Sequence, residues 1–453
     1  MSNEEILLFD TKSRQLQPLT SSDGKRLRIY SCGPTVYRDA HVGNMRTFLL
    51  GDLITRLAKQ LGHKVEFIQN ITDVGHMSED FVEDKILAQA KAESKDPFEI
   101  ARIYEDRFHK DLAHLNITPA DKYPKASECI DLMQRLITLL ISKNHAYVGS
   151  DSCVYFSAQS FDTYGAISGN KLDSLKPGHR YEYTEDGGKR FHADWALWKA
   201  AGDRTEMVWE SPWGKGFPGW HIECSAMSLE LLNGHVDIHV GGIDLRFPHH
   251  ENERAQSNAL INKEAVDLWV HGEHLLFEGK KMSKSSGNVV LLSDVIKRGI
   301  DPLAIRLCFL ENKYRSQMDL TWNSIEAADE TLKRWRMKMA QWSSDNSISV
   351  DAEIEQAFNA DIDTSTAIMR LREIEKDNSE NKASVFRYAD QVLALDLDRP
   401  IEARVLTPQM KTLLDQRATA RNDKQWVESD RLRTELENLG LSIKDTPEGQ
   451  LWS

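Results

Sequence analysis

Between residues 27 and 72 the apolar positions change their spacing twice, and that switch limits the fold more than any other feature of the chain. Residues 27–32 (LRIYSC) have strand composition. A Gly-Pro loop follows, and then Met45, Phe48, Leu49, Leu53, Ile54, Leu57 and Leu61 recur at helical spacing until Gly62 supplies a C-terminal stop. Residues 65–72 (VEFIQNIT) read as the next strand. This is a strand–helix–strand unit of the doubly wound α/β kind, which gathers ligands at strand C-termini and helix N-termini. Cys32 and His41 fall at those positions.

From about residue 125 to 216 the pattern breaks into irregular segments and turn signals such as SPWGKGFPG. An insertion between two halves of one sheet is the simplest account. Strand-like HVDIHVGG (235–242) and LWVHGEHLLF (268–277) then resume the α/β pattern. Beyond Asp301 the chain reads as helical nearly to its end, with a basic stretch at 331–339 and an amphipathic helix or helix pair at 413–436. The expected division is a parallel-sheet domain in two halves (20–124 and 217–300) around an insertion (125–216). Two helical regions (301–345 and 346–404) and a C-terminal region (405–453) follow.

Composition narrows the setting. No apolar run reaches the roughly 20 residues of a membrane span, and the mean hydropathy of −0.50 is that of a soluble protein. The acidic start MSNEEILLFD lacks the form of a secretory leader, so a cytoplasmic protein is expected. Five cysteines, Cys32, Cys129, Cys153, Cys224 and Cys308, follow no framework spacing and fit a reducing compartment. The net charge of −13 is unevenly spread, with residues 345–400 alone holding 13 acidic and 6 basic side chains, so a nucleic-acid partner is compatible with it.

Two short motifs carry phosphate chemistry. In HVGN (41–44) a histidine before a helix N-terminus, next to a glycine that lets backbone approach, can hydrogen-bond phosphate where the helix dipole favours negative charge. In KMSKS (281–285) two lysines flanked by hydroxyls form a cationic loop suited to a triphosphate. A surface histidine and a solvated charged turn are the plain alternatives. Together the motifs would neutralise ATP as pyrophosphate leaves, with catalysis by position and charge.

At these residues the chain resembles the class I aminoacyl-tRNA synthetases, and most closely the cysteinyl-tRNA synthetases. The likeness runs through SCGPTVY (31–37), NITD (70–73), GFPGWHIECSAM (216–227), FPHHENE (247–253) and KDTPEGQLW (444–452). It implies a Rossmann-type catalytic domain split by an insertion, a stem-contacting helical region (301–345), a helical bundle (346–404) and an anticodon-binding C-terminal region (405–453). It implies catalysis by His41, Lys281 and Lys284, with ATP bound by His41, Gly43, Asn44, Gly241, Asp244, Lys281, Ser283, Lys284 and Ser285. Mg²⁺ would accompany ATP. L-Cysteine would lie against Thr72, Trp220 and His239, and tRNA-Cys would be read by Arg421, Trp426, Asp430 and Asp445. A monomer is expected.

The resemblance also implies one zinc on Cys32, Cys224, His249 and Glu253. His249 and Glu253 are four apart and would share a helix face, a Cys₂-His-Glu set suits tetrahedral Zn²⁺, and His250 is the second choice of imidazole. Two departures stand out. Asn44 occupies the place of the signature's second histidine, and VGHM follows NITD where an acidic pair and a lysine are familiar. Two rival readings follow: a related ligase that joins cysteine to an aminosugar, and a silent zinc- and RNA-binding paralogue.

Overall fold

The computed structural model describes residues 5–74, 84–175, 188–282, 287–342, 346–400, 407–439, 441, 443–446 and 449–452. The chain divides into two compact units, Met1–Asp398 and Arg399–Ser453.

The first unit opens with a hairpin, β1 (Leu7–Asp10) and β2 (Gln15–Pro18), and then forms β3 (Leu27–Ser31), α1 (Val42–Gln60) and β4 (Val65–Gln69). β3 and β4 pair in parallel from Leu27↔Val65 to Ser31↔Gln69. The face of α1 that carries Met45, Phe48, Leu49, Leu53, Ile54 and Leu57 is buried, whereas Leu61 sits at the C-cap and is exposed. Gly62 ends the helix with φ +86°, a left-handed conformation that costs glycine little. Helices α2 (Lys85–Glu93) and α3 (Pro97–His114) follow, capped by the carboxylates of Asp84 and Asp96.

The middle of the chain is more regular than its sequence suggests. It holds α4 (Ile130–Ser142) and a sheet of short antiparallel strands, β5 (Ala146–Val148), β6 (Val154–Phe156), β7 (Trp195–Ala200) and β8 (Gly216–Pro218). Three-residue strands carry too little pattern to read, and long-range pairing makes them. β8 reaches Pro218, so this sheet extends just past residue 216.

Next come α5 (Trp220–Leu231), β9 (Val236–Gly242), α6 (His249–Ile261) and β10 (Val266–Gly272). β9 joins β3 in parallel, which completes a sheet of order β10-β9-β3-β4. Strand order reverses between β3 and β9, and a ligand crevice opens at such a switch point beyond the strand C-termini. The stretch expected as one strand at 268–277 is two. β10 ends at Gly272, and β11 (Leu275–Phe277) lies in a second sheet between β12 (Lys280–Lys281) and β13 (Met318–Leu320). Around them run α7 (Leu292–Lys297), α8 (Leu303–Leu310), α9 (Trp322–Trp342), α10 (Ala352–Asn359), α11 (Thr364–Ile374) and α12 (Lys382–Leu393). The cations of the basic stretch on α9 are ion-paired: Lys333 with Asp329 and Glu330, Arg334 and Lys338 with Glu375, and Arg336 with Asp301. Among the described residues no helix is long and apolar enough to cross a membrane.

The second unit is a helix pair, α13 (Pro408–Asn422) and α14 (Trp426–Asn438), closed by a hairpin of β14 (Ile443–Thr446) and β15 (Gly449–Trp452). Leu413, Leu414, Leu432, Leu436, Leu441 and Ile443 form its own small core.

Candidate active site

At the C-terminal edge of β3 the backbone N–H of Cys32 donates to Val240 O of β9 at 3.2 Å, which places its thiol over the switch point. Cys224 comes from α5, and His249 and Glu253 lie one turn apart at the start of α6. All four are buried, and their ligand atoms lie within 4.8 Å of one another. The two sulfurs are 3.9 Å apart, and Glu253 Oε1 is 3.7 Å from Cys32 Sγ and 2.9 Å from His249 Nε2.

Charge explains why such a group asks for a cation. Burial pushes the Cys32 thiol well up, while the Cys32–Cys224 hydrogen bond outweighs burial and draws Cys224 down to about 6. Burial opposes ionisation of Glu253, but His239 and His249 hold its carboxyl down to about 2. Glu253 and Cys224 in turn overcome burial and raise His249 to about 10. His249 Nε2 has no hydrogen-bond partner among the described residues, although it faces the carboxylate, and its Nδ1 lies 2.9 Å from His221 Nδ1. An imidazole nitrogen without a hydrogen bond, two thiols and a carboxylate in one buried cluster fit a four-coordinate metal such as zinc.

A second group, Cys32, His239, His250 and Glu253, shares two of these residues. His250 is placed differently from His249. Its Nε2 is 3.3 Å from Cys32 Sγ, and its Nδ1 is 2.8 Å from His271 Nε2. His271 is held at its other nitrogen by Thr11 Oγ1 at 2.7 Å. His250 thus ends a buried chain of hydrogen bonds.

Thr72, Trp220 and His239 surround the cluster. Trp220 stacks on the His249 ring at 4.1 Å, and His239 stacks on Trp269 and reaches Glu253 Oε2 at 3.0 Å. The Thr72 hydroxyl, 2% exposed, accepts from Asn70 Nδ2 at 3.1 Å and donates to Glu223 Oε2 at 3.1 Å. Sequence reasoning passed over Glu223, Asn70, His221, His271 and Thr11. Glu223 had one visible signal: it is the lone carboxylate in WHIECSAM (220–227), which begins a largely buried helix.

His41 is the N-cap of α1, and Asn44 is its partner. Asn44 N donates to His41 Nδ1 at 3.3 Å, and His41 N donates to Asn44 Oδ1 at 3.2 Å. This reciprocal pair is a capping box, so the amide in place of a histidine has a local structural reason. Burial, helped by Arg38, pushes His41 down to about 4, which leaves the ring neutral at pH 7. Gly43 lies against Met282: a Cβ there would fall 2.7 Å from Met282 Cε, the flexible end of that side chain. The first motif and the start of the second therefore touch. Gly241 packs against His250, where a Cβ would fall 2.4 Å from the ring, and Asp244 lies close enough to His41 to act on its charge. Lys281 is exposed on β12 with its carbonyl held by Asn288. Ser283, Lys284 and Ser285 lie outside the described residues, as does the chain after Val74 that follows NITD.

In the second unit Arg421 and Asp445 are joined at 2.9 Å, and buried Arg417 holds both oxygens of Asp445 at 3.0 Å. Asp445 is thus an ion-paired acceptor shared by two arginines. Trp426, 56% exposed, opens α14 with the Arg421 guanidinium 5.9 Å from its ring, and Asp430 is exposed on the same helix.

Residues 18–330 match the family model for the catalytic domain of class I (C) tRNA synthetases, and residues 403–452 match that for the cysteinyl-tRNA ligase anticodon-binding domain. The chain is 39% identical to a cysteine–tRNA ligase of Thermus thermophilus, an alignment that covers 99% of both. It is 38% identical to one of Chlamydia caviae over 99% of this chain and 98% of that one. Its fold resembles methionyl-tRNA synthetase of Mycobacterium tuberculosis (TM-score 0.55, 16% identity, 82% of this chain and 89% of that one). It also resembles a leucyl-tRNA synthetase of Agrobacterium radiobacter K84 (TM-score 0.60, 10% identity, 82% and 83%). Matched by family models in both regions, and along nearly its whole length by relatives at this identity, the chain belongs to the cysteine–tRNA ligase family of class I tRNA synthetases.

Proposed function

We propose that the chain joins L-cysteine to tRNA-Cys at the expense of ATP. In the first step the cysteine carboxylate attacks the α-phosphorus of ATP, the bond to the bridging oxygen breaks, and pyrophosphate leaves from cysteinyl adenylate. In the second, the 2′-hydroxyl of the 3′-terminal adenosine of the tRNA attacks the cysteinyl carbonyl and AMP leaves. The observation that carries the reading is the placement of a buried thiol-rich ligand set and a capped signature helix at one edge of one parallel sheet.

Cys32, Cys224, His249 and Glu253 would hold one Zn²⁺ per chain, with His250 kept for the hydrogen-bond chain to His271. Zinc when bound supplies a soft centre that prefers a thiolate to the hydroxyl of serine, which separates the two amino acids. A hydrophobic pocket separates near-isosteres by only about 10²-fold. Thr72, Trp220 and His239 line the amino-acid pocket. Neutral His41 donates from Nε2 to phosphate, Gly43 and Asn44 keep the N-terminus of α1 open to it, and Gly241 and Asp244 flank the adenosine. Lys281, Ser283, Lys284 and Ser285 neutralise the triphosphate, with which Mg²⁺ enters.

Residues 301–345 would contact the tRNA stem and 346–404 form the bundle behind it. Trp426 would stack on an anticodon base while Arg421 and Asp430 read edges, with Asp445 aiming Arg421. The C-terminal family match speaks against the aminosugar ligase, whose kind lacks that end. A monomer in the cytoplasm completes the reading, since a thiol substrate and thiolate ligands both need reducing conditions. Cysteine-dependent ATP–pyrophosphate exchange followed by charging of tRNA-Cys tests it. Exchange without charging, or no exchange, would overturn it.

A further inference from the structure

Arg46 sits one turn into α1, just after the first phosphate motif, and is only 5% exposed. Among the described residues its four hydrogen bonds go to backbone carbonyls of two remote segments. One terminal nitrogen donates to Glu273 O at 2.9 Å and His274 O at 3.2 Å, and the other to Lys313 O at 3.0 Å and Ser316 O at 2.8 Å. The first pair of carbonyls leads directly into β11 and the second into β13. These parallel neighbours form the sheet whose edge strand, β12, carries Lys281.

The other end of that excursion is tied to the same helix. Val42 N donates to Val290 O at 3.0 Å, and His41 and Leu291 form an isolated bridge. The described segments on either side of residues 283–286 are thus both tied to α1, the first by one side chain. A buried guanidinium is an expensive way to secure these strands, because its charge must be desolvated and four carbonyls lose a donor with it, although His274 O and Lys313 O keep the N–H groups of Met318 and Ser316. Lysine cannot replace it, because a single ammonium lacks the planar fork that spans two segments. Met282 Cε lies beside Gly43, so a shift of β12 also moves Met282 relative to the first motif and changes the reach of Lys281.

We propose that Arg46 is a positioning residue for the activation step. It holds the starts of β11 and β13 against α1 and so sets where Lys281 meets the phosphates that His41 and the α1 N-terminus receive. The inference rests on the ATP reading above. The test compares wild type, Arg46→Lys, Arg46→Met, Lys281→Ala and the double variant Arg46→Lys/Lys281→Ala by thermal melting, direct ATP binding, zinc content and cysteine-dependent pyrophosphate exchange. Since a displacement of about 1 Å can cost about 10²-fold in rate, Arg46→Lys should lower kcat/KM for ATP by about tenfold or more. Its zinc content and free-cysteine affinity should not change.

The penalty of Lys281→Ala should shrink in the Arg46→Lys background, because residues that act through one another are not additive. A purely structural arginine would lower the melting temperature and leave the two penalties additive, and that result would overturn the proposal. If Arg46→Met does not fold, Arg46→Lys, which keeps the charge and the stem, carries the decision. A wild-type protein that binds ATP without cysteine-dependent exchange would overturn the reading of function, and ATP affinity then decides this one: Arg46→Lys should weaken it, and unchanged affinity would overturn the proposal. Unchanged ATP affinity and exchange in Arg46→Lys would overturn this one alone.

Discussion

His249 offers a buried ring nitrogen to two thiols and a carboxylate, and its other nitrogen faces His221. Removing one thiol should therefore empty the site without disturbing the sheet that frames it. We expect Cys224→Ser to lower both zinc content, read by elemental analysis, and cysteine affinity, read by calorimetry; full zinc occupancy in that variant would remove Cys224 from the ligands. Asp111 is a residue-scale case of a different kind. Burial, and then the charge of Asp39, raise its carboxyl to about 7, with Arg107 opposing. A carboxyl raised in the folded state favours the protonated form, so its contribution is intact below about pH 4 and is lost as pH rises toward 7. Asp111→Asn should then stabilise the protein by about 1 kcal/mol at pH 8, after discount for partial exposure, and not at pH 4. Equal shifts in melting temperature at the two pH values would refute this.

At the scale of elements, the most buried ion pair among the described residues joins the signature helix to the helical region. Arg306 on α8 donates to Asp52 Oδ2 of α1 at 2.7 Å, and to the carbonyls of Leu115 and Leu393. Both side chains are fully buried. Burial alone would raise Asp52, but Arg306 and Arg56 hold its carboxyl below the usual range. Breaking such a pair leaves a buried charge, which costs about 3–5 kcal/mol. Arg306→Met should lower the denaturation midpoint accordingly, and Asp52→Asn/Arg306→Met should lose less than the sum of the single changes. Independent losses at the two sites would mean that the pair does not act as a unit. Because the folded carboxyl is depressed, this contribution is present at neutral pH and fades as pH falls through the acid range.

At the scale of the whole molecule, each unit has its own core. A chain ending at Asp398 should keep cysteine-dependent pyrophosphate exchange and lose most tRNA charging. Loss of exchange in that chain, if it remains folded, would show that activation needs the second unit. Within the full chain, Trp426→Ala should weaken tRNA binding by about 1–3 kcal/mol, the usual worth of a base stacked on an aromatic ring, with exchange preserved. Penalties fully additive with those of an anticodon-altered tRNA would mean that Trp426 does not read the anticodon.

The local elements were legible because their signal is local. The period of α1, its stop at Gly62 and the strands that became β3, β4 and β9 follow from side-chain spacing and backbone freedom within a few residues. The helix N-terminus at His41 was legible for the same reason. The antiparallel sheet of the insertion was not, because three of its four strands span only three residues each and β6 finds β7 well along the chain, Val154 opposite Trp198. Nor does spacing bring Cys32 to Cys224, 192 positions away, without a resemblance to guide it. Only the convergence of β3, α5 and α6 does that. The cap made by Asn44 and the two arginines that hold Asp445 were likewise decided by tertiary structure, since a donor or acceptor's partner depends on which groups folding places within about 3 Å. The sequence by itself determined the elements whose side-chain spacing is local, α1 and the parallel strands beside it; the three-dimensional fold alone chose the short antiparallel pairings and which polar groups meet.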